Sequence, residues 1–387
     1  MFGVGGVGKT TFLQQLASHC VWQQHGFEPN SLVIVLVSCL SVAPPFTAAN
    51  FWFEVLNLLH DELEDLPQVQ AEVNTLLEQE TFNVRGIRQI LRRLSKYNRR
   101  LVLLIDDYEE ALQPHEHYTK AEIDLFLTEQ RSLAYSSTQR QQISLVVSTS
   151  RPLGEFSFPP RPDRSPWFNH YLFLPLHSFS RSEAEALLNP ISMPATLQDT
   201  VWEATGGNPT LLQLAGSLLY TELRNGRLLE PNQFVQAFVH QAEPFFQYIW
   251  TELSEMEQML LIVIILRNLA HRLQGKQAVD LYKIDRLLSQ RERELLYLVD
   301  WGILTKGSHS GEMSYTFCSS MLEWWMLKQI QESHSERLPD RSITAFSFVD
   351  ADPANDMSGI FRLVWQYVDL NVSISEWMNY ALGRSNR

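Results

Sequence analysis

The chain has 387 residues, of which 45% are hydrophobic, 11% aromatic and 19% charged, a composition typical of globular proteins and unlike disordered ones. Its longest uninterrupted apolar run, residues 259–266, is far shorter than the roughly 20 residues of a membrane helix, so we expect a cytoplasmic protein without a membrane partner. The net charge of −13 argues against nucleic-acid binding through overall charge. Three widely separated cysteines without a CxxC pair indicate neither a disulfide framework nor a zinc site.

Residues 3–10 read GVGGVGKT, the complete G-x-x-x-x-G-K-[ST] pattern of a phosphate-binding loop (P-loop), and a helical pattern follows. Glycines at these positions let consecutive backbone N–H groups surround a phosphate, and the helix N-terminus adds its dipole. We expect Lys9 to reach the β- and γ-phosphates and the Thr10 hydroxyl to hold Mg²⁺. The expected nucleotide-binding residues are Gly3, Gly5, Gly6, Val7, Gly8, Lys9, Thr10 and Thr11.

The segments after this loop alternate as a parallel α/β sheet requires. Residues 32–37 form a continuous apolar run, typical of a strand covered on both faces. Helical patterns are predicted over 51–66 and 85–97. A second apolar run, 101–105, is followed directly by Asp106, which is therefore expected at the carboxyl edge of the sheet. Ligands bind at this edge in such folds.

Asp106 is therefore the candidate Mg²⁺ ligand of the Walker B type. The adjacent Asp107 is the candidate for polarising the water that attacks the γ-phosphate, and Glu109 and Glu110 are weaker candidates within one turn of it. An isolated Asp-Asp pair is more often a turn or a cap. Its position after a buried strand downstream of a P-loop favours the catalytic interpretation.

A third buried strand is predicted over 143–148, after a helix over 118–136. Arg151 lies just beyond this strand and is a candidate sensor of the γ-phosphate, the alternative being a surface arginine in a loop. Residues 171–176 give the last strand signal, and Pro175 marks its exit.

The order of these segments, with Ser182-Glu183-Ala184 and Gly206-Gly207-Asn208-Pro209 after them, resembles the STAND-type P-loop ATPases, a signalling branch related to AAA+ proteins. The resemblance spans about residues 1–335. It implies an α/β P-loop NTPase sheet with helices on both faces, a helical lid and a winged helix, with ATP and ADP as alternating ligands. It also implies that Pro209 packs near the adenine, although Gly-Gly-Asn-Pro can equally just begin a helix.

This resemblance predicts four segments. The P-loop domain covers 1–178, the lid 179–241, the winged helix 242–338, and a linker with a short helical tail 339–387. Residues 301–305 and 315–317, separated by a polar loop, are predicted to form the two-stranded wing.

The sequence departs from the family pattern in two places. The stretch Phe317-Cys318-Ser319 stands roughly where other branches carry a Met-His-Asp triplet, so autoinhibition through that histidine is not expected. Only about 50 residues follow the winged helix, without internal repeats of the kind that act as sensors. The aromatic tail is interpreted either as a final packing element or as a docking element for a protein partner or another protomer.

Three functions remain open at this point. The first is a nucleotide-controlled signalling switch with slow hydrolysis, and the second is a DNA-handling ATPase of the origin-recognition type. Residues 242–338 hold ten Lys and Arg against thirteen Asp and Glu, which disfavours DNA as a partner. The third is a module that binds nucleotide without turnover, because Asp107 is one methylene shorter than the Glu common at this position.

The position of the P-loop carries one further expectation. Only Met1 and Phe2 precede Gly3, whereas a P-loop normally follows a strand in the middle of the sheet. We therefore expect the first strand to be missing from this sequence and the natural chain to start upstream, which would make this an N-terminally truncated form.

Overall fold

The computed structural model describes residues 1–28, 30–80, 82–135, 142–156, 165–272, 281–309, 312–335 and 374–385. The chain divides into two compact units, Met1–Leu176 and His177–Arg387.

The first unit is built on a parallel sheet of order β1-β2-β3, with β1 at Leu32–Ser38, β2 at Arg100–Asp106 and β3 at Ile143–Val147. Val33 pairs with Leu101, and Leu101 pairs with Ile143. The apolar runs of β1 and β2 are almost wholly buried, as expected for strands covered on both faces. The three strands confirm the predicted order, but the third, predicted as a buried strand over 143–148, ends at Val147 and is buried only at Ile143 and Val147.

Met1 and Phe2 extend this sheet beyond β3. Phe2 forms parallel bridges to Thr149 on one side and to Pro175 on the other. The N–H of Phe2 donates to the carbonyl oxygen of Leu174 at 3.0 Å, and the N–H of Leu176 donates to the carbonyl oxygen of Phe2 at 2.8 Å. The sequence predicts a strand over 171–176, but within this range it is Pro175 that forms a β-bridge. The paired segment is therefore shorter than predicted.

Helices cover both faces of the sheet, which confirms the predicted fold class. One face packs on Leu13 of α1, together with Ile34 and Leu104 of the strands. The opposite face carries a larger core that includes Phe51 and Phe126. The helices of this unit are α1 Lys9–Ala17, α2 His19–Gln24, α3 Ala48–Asp61, α4 Pro67–Glu78, α5 Val84–Lys96 and α6 Lys120–Tyr135.

The helix predicted over 51–66 has different bounds in the structure. It starts earlier, at Ala48, where the Thr47 hydroxyl caps it by accepting from the N–H of Asn50. It ends at Asp61, and a separate helix begins at Pro67, since proline is well suited to the first helical position.

The second unit begins with four helices, α7 Arg181–Leu188, α8 Ala195–Thr205, α9 Pro209–Arg224 and α10 Pro231–Glu252. Ser180 and Glu183 form a capping box at the start of α7. Asn208 caps α9, accepting from the N–H of Leu211 at 3.2 Å, and Pro209 occupies the first turn. The buried residues of α8 to α10 include Val201, Leu212 and Phe238, whose packing holds this helical set together.

Among the residues of this unit that the structure describes, three helices, an antiparallel hairpin and two further helices follow. They are α11 Glu255–Arg272, α12 Leu281–Gln290, α13 Glu292–Asp300, β4 Leu304–His309, β5 Glu312–Phe317, α14 Ser320–Ser335 and α15 Ile374–Ser385. Leu304 pairs with Phe317 in the hairpin. Helix α15 contacts α8, α10 and α14 and buries Trp377 fully. The remainder of the predicted linker and tail, 339–373 and 386–387, lies outside the described residues.

Across the ranges that the structure describes, every helix is too short or too polar to cross a bilayer.

Candidate functional site

The P-loop connects the short extension of the sheet to helix α1. The N–H of Gly3 donates to the carbonyl oxygen of Thr149 at 3.2 Å, which ties the start of the loop to the end of β3. Gly8 caps α1 in the left-handed region with φ of 95°, and Gly6 has φ of 77°. A Cβ placed on Gly8 would find no atom within 4 Å, so the space at this helix N-terminus is open.

Lys9 lies over this loop. Its Nζ donates to the carbonyl oxygens of Gly3 at 2.8 Å and of Val4 at 3.3 Å. Thr10 and Thr11 are exposed in the first turn of α1. An ammonium group, an open helix N-terminus and an exposed hydroxyl form a donor set that fits a phosphate chain.

Asp106 is the last residue of β2, and its side chain is held in place. It is only 3% exposed. Its Oδ1 accepts from the Ser148 hydroxyl just beyond β3 and, at 3.1 Å, from the N–H of Asp107. A carboxylate fixed at the carboxyl edge of the sheet has the chemistry that a hard divalent cation such as Mg²⁺ requires, and Thr10 offers a second oxygen.

Asp107 turns the chain sharply at this edge. It adopts the left-handed conformation with φ of 51° and ψ of 42°, which is costly for a residue other than glycine. Its Oδ2 accepts from the hydroxyl of Ser38, at the end of β1, at 2.8 Å. The Asp107 carboxylate is therefore engaged on the β1 side of β2.

Glu109 extends in the opposite direction, towards the end of β3. Its Oε1 accepts from the N–H of Ser150 at 3.0 Å, while its Oε2 is buried without a hydrogen-bond partner among the described residues. Burial raises the pKa of this carboxyl, and the charge of Lys9 partly opposes that rise. Sequence reasoning ranked Glu109 below Asp107, because the pattern contains no signal for where either side chain points.

Two predicted residues remain, Arg151 in the first unit and Pro209 in the second. Arg151 pairs with Glu155, with Nη1 donating to Oε2 at 3.3 Å, and its carbonyl oxygen accepts from the Thr149 hydroxyl at 2.7 Å. Pro209 belongs to the second unit, at the start of α9. The structure thus brings the P-loop, Asp106 and Glu109 to one edge of the sheet, with Arg151 on the adjoining loop.

Comparison with known proteins bears on the fold. No family profile matches the chain, and no curated protein matches it in sequence. Among solved structures, it is similar to a Walker-type ATPase of Pyrococcus abyssi, with a TM-score of 0.51 at 14% identity over 84% of this chain and 89% of that one. It also aligns with the Aeropyrum pernix ORC2 protein in ADPNP-ADP complexes (TM-score 0.46, 14% identity) and ORC1 protein in complex with DNA (TM-score 0.36, 12% identity), each over 87% of both chains. The chain has the α/β fold of a P-loop NTPase.

Proposed function

We propose that this protein is a nucleotide-controlled switch of the STAND type, which binds ATP with Mg²⁺ and hydrolyses it slowly to ADP. One observation carries the proposal. The open helix N-terminus at Gly8, with Lys9 over the loop, lies on the same sheet edge as the fixed carboxylate of Asp106. That combination of phosphate donors and a metal-binding acid is what ATP with Mg²⁺ requires.

The roles of the residues follow from this chemistry. The backbone N–H groups of residues 3–11 and the Lys9 ammonium bind the β- and γ-phosphates. Thr10 and Asp106 would hold Mg²⁺, which neutralises phosphate charge when bound. Arg151 senses the γ-phosphate. Pro209, in the second unit, packs near the adenine of the nucleotide.

The second unit is the part that responds to the nucleotide. We assign residues 179–241 to a lid, 242–338 to a winged helix and 339–387 to a linker and tail. The order α11, α12, α13, hairpin and α14 supports the winged helix. The proposal therefore includes a protein partner, or self-association, that uses the winged helix and the tail. It also includes a location in the cytoplasm.

An origin-recognition type of ATPase is the second candidate, because such proteins also combine a P-loop core with a winged helix. The charges of the described residues favour the switch instead. Arg291 pairs with Glu294 at 3.2 Å, Lys306 with Glu292 at 3.1 Å, and Arg293 lies over the Tyr297 ring. Basic side chains engaged in this way are poorly placed to bind phosphates of DNA.

Isothermal titration calorimetry with ATP and Mg²⁺ tests the proposal. Replacing Lys9 with methionine removes charge-assisted hydrogen bonds worth about 2 kcal/mol, so we expect affinity to fall about 30-fold. Lys96→Met is the control, since Lys96 is an exposed lysine at the end of α5, and its affinity for ATP should match that of the wild type. Equal affinities of all three proteins would refute nucleotide binding through the P-loop.

Two further measurements separate the two candidate functions. The switch predicts different elution volumes in size-exclusion chromatography with ADP and with a non-hydrolysable ATP analogue. The DNA-handling alternative predicts salt-sensitive fluorescence anisotropy with duplex DNA that is lost when Arg286, Arg291 and Arg293 are changed.

A further inference from the structure

We propose that Glu109, and not the adjacent Asp107, is the carboxylate that accepts a proton from the attacking water. The proposal rests on the function proposed above. The catalytic base is then three residues after the metal-binding Asp106. The sequence pattern had favoured Asp107, the residue directly after Asp106.

The order of the sheet separates the two carboxylates. From β1 the sheet runs through β2 and β3 to Phe2, which immediately precedes the P-loop. Strands lie about 4.8 Å apart, so the end of β1 is roughly 14 Å from Phe2, whereas the end of β3 is about 5 Å away. Asp107 is bonded to Ser38 at the distant strand, and Glu109 is bonded to Ser150 at the near one.

The backbone explains why Glu109 reaches this position. The left-handed conformation of Asp107 ends β2 and leads into a single 3-10 turn, Tyr108–Leu112. Tyr108 is fully buried, and its N–H donates to the carbonyl oxygen of Ser148 at 3.0 Å, which fixes the turn against the end of β3. Glu109 is therefore supported by a rigid neighbour on its N-terminal side.

The two oxygens of Glu109 have different surroundings. Oε1 is anchored by the N–H of Ser150, so the carboxylate cannot rotate without losing a hydrogen bond. Oε2 is buried and has no hydrogen-bond partner within the described residues, leaving an acceptor to be satisfied by a water molecule. An anchored carboxylate whose second oxygen has no hydrogen-bond partner among the described residues is suited to general-base catalysis. The Oδ2 of Asp107 already accepts from a hydroxyl.

The step that Glu109 supports is balanced. The oxygen of water forms a bond to the γ-phosphorus, and the bond between that phosphorus and the β–γ bridging oxygen breaks. The bridging oxygen keeps the electron pair and leaves as part of ADP. The proton of the water moves to Oε2 of Glu109 and then to solvent, and the other product is inorganic phosphate.

Glu109→Gln and Asp107→Asn, compared in the full chain, test the proposal. Glu116→Gln is the control, because Glu116 is an exposed glutamate on the same connection. Three quantities are measured for each protein: the affinity for ATP with Mg²⁺, the single-turnover hydrolysis rate, and the identity of the nucleotide retained after gel filtration. A general base contributes a factor of roughly 100 to 10,000, so we expect Glu109→Gln to hydrolyse at least about 100-fold more slowly.

The other readouts exclude a loss of folding or of binding. Glu109→Gln should bind ATP within about threefold of the wild type, since the carboxylate acts on water, and should elute with ATP where the wild type elutes with ADP. Asp107→Asn and Glu116→Gln should retain ADP and hydrolyse within about fivefold of the wild type.

Two results would overturn the proposal. One is a larger loss of hydrolysis in Asp107→Asn than in Glu109→Gln. The other is a wild-type hydrolysis rate no faster than that of Lys9→Met. That result would remove any catalytic role for Glu109, whereas an intact affinity of the wild type for ATP would still support nucleotide binding. Absence of ATP binding in the wild type would instead refute the proposed function itself, and Glu109 would have no such role.

Discussion

Both units carry consecutive or closely spaced glycines in the left-handed region, and the surroundings of these glycines are opposite. In the P-loop, a Cβ on Gly8 would meet nothing within 4 Å. In the second unit, a Cβ on Gly206 would lie 2.5 Å from the carbonyl carbon of Cys318, and one on Gly207 would lie 2.2 Å from the carbonyl oxygen of Phe179. The space beside Gly8 is open, whereas the space beside Gly206 and Gly207 is filled by other segments of the protein.

Hydrogen bonds reinforce the close approach at Gly206. The Ser319 hydroxyl donates to the carbonyl oxygen of Ala204 at 2.6 Å, and the Ser320 hydroxyl donates to Glu203 at 3.1 Å. The N–H of Phe179 donates to the carbonyl oxygen of Gly207 at 2.9 Å. The end of α8 is thereby joined to the start of α14 and to the segment before α7.

Gly206→Ala is the substitution with the largest expected effect on stability. The methyl group would collide with the backbone of Cys318 in addition to the cost of the left-handed conformation, so we expect a loss of about 3 kcal/mol or more in the free energy of unfolding. Gly226→Ala is the matched control. Gly226 has φ of 76° with nothing within 4 Å of an added Cβ, and its replacement should cost only about 1 kcal/mol. Urea denaturation followed by circular dichroism measures both values, and equal losses would contradict the role of the close contact.

Ser319→Ala weakens the same junction without a collision. It leaves the buried carbonyl of Ala204 without this donor and removes the acceptor for the N–H of Leu322, for an expected loss of about 2 kcal/mol. The exposed Ser289, which donates to the carbonyl oxygen of Arg286, provides the comparison, and Ser289→Ala should change stability by less than about 0.5 kcal/mol. Similar urea midpoints for the two variants would show that the junction contributes little.

Gly8→Ala should lower the affinity for ATP more than the stability, whereas Gly206→Ala acts mainly on stability. No neighbour opposes the methyl group, so the loss in stability is limited to the backbone strain, about 1 kcal/mol. The methyl group would, however, enter the proposed phosphate space, and we expect affinity for ATP to fall at least about tenfold. Calorimetric titration showing unchanged affinity would mean that the open space at Gly8 is not used by the phosphates.

The smallest change is chemical modification of the cysteines, which needs no substitution. Burial raises the pKa of Cys318 to about 12 and also raises that of Cys39, so little thiolate is present at pH 8. Cys20 is exposed and should react first with iodoacetamide, as followed by mass spectrometry of the native protein. Gly206→Ala should accelerate the reaction of Cys318, and modification of Cys318 at the rate of Cys20 in the wild type would contradict the partial burial of its thiol.

Local sequence patterns predicted the strands and the P-loop because both depend on neighbouring residues. Continuous apolar runs specify β1 and β2, a mostly apolar run specifies β3, and the carboxyl end of β2 specifies the place of Asp106. Helix bounds were less well predicted, as the break between Asp61 and Pro67 shows. The roles of Arg151 and Pro209 stay predictions.

Contacts between residues distant in the chain could not be predicted in this way. The left-handed turn at Asp107 depends on surroundings that include Ser38, 69 residues earlier, and it decides which carboxylate approaches the P-loop. Gly206 equally reads as the end of a helix, and its contact with Cys318 becomes visible only in three dimensions. Side-chain direction at a sheet edge therefore requires the fold.

The pairing of the first two residues joins the P-loop to the strands on either side of it. The nitrogen of Met1 donates to the carbonyl oxygen of Val147 at 2.6 Å, and Phe2 forms parallel bridges to Thr149 and to Pro175. Beside them lies a cavity of about 340 Å³, lined by apolar residues that include Leu145 and Phe173. A substitution that disturbs this pairing therefore acts on the sheet that supports the P-loop, even though every residue of the loop itself stays unchanged.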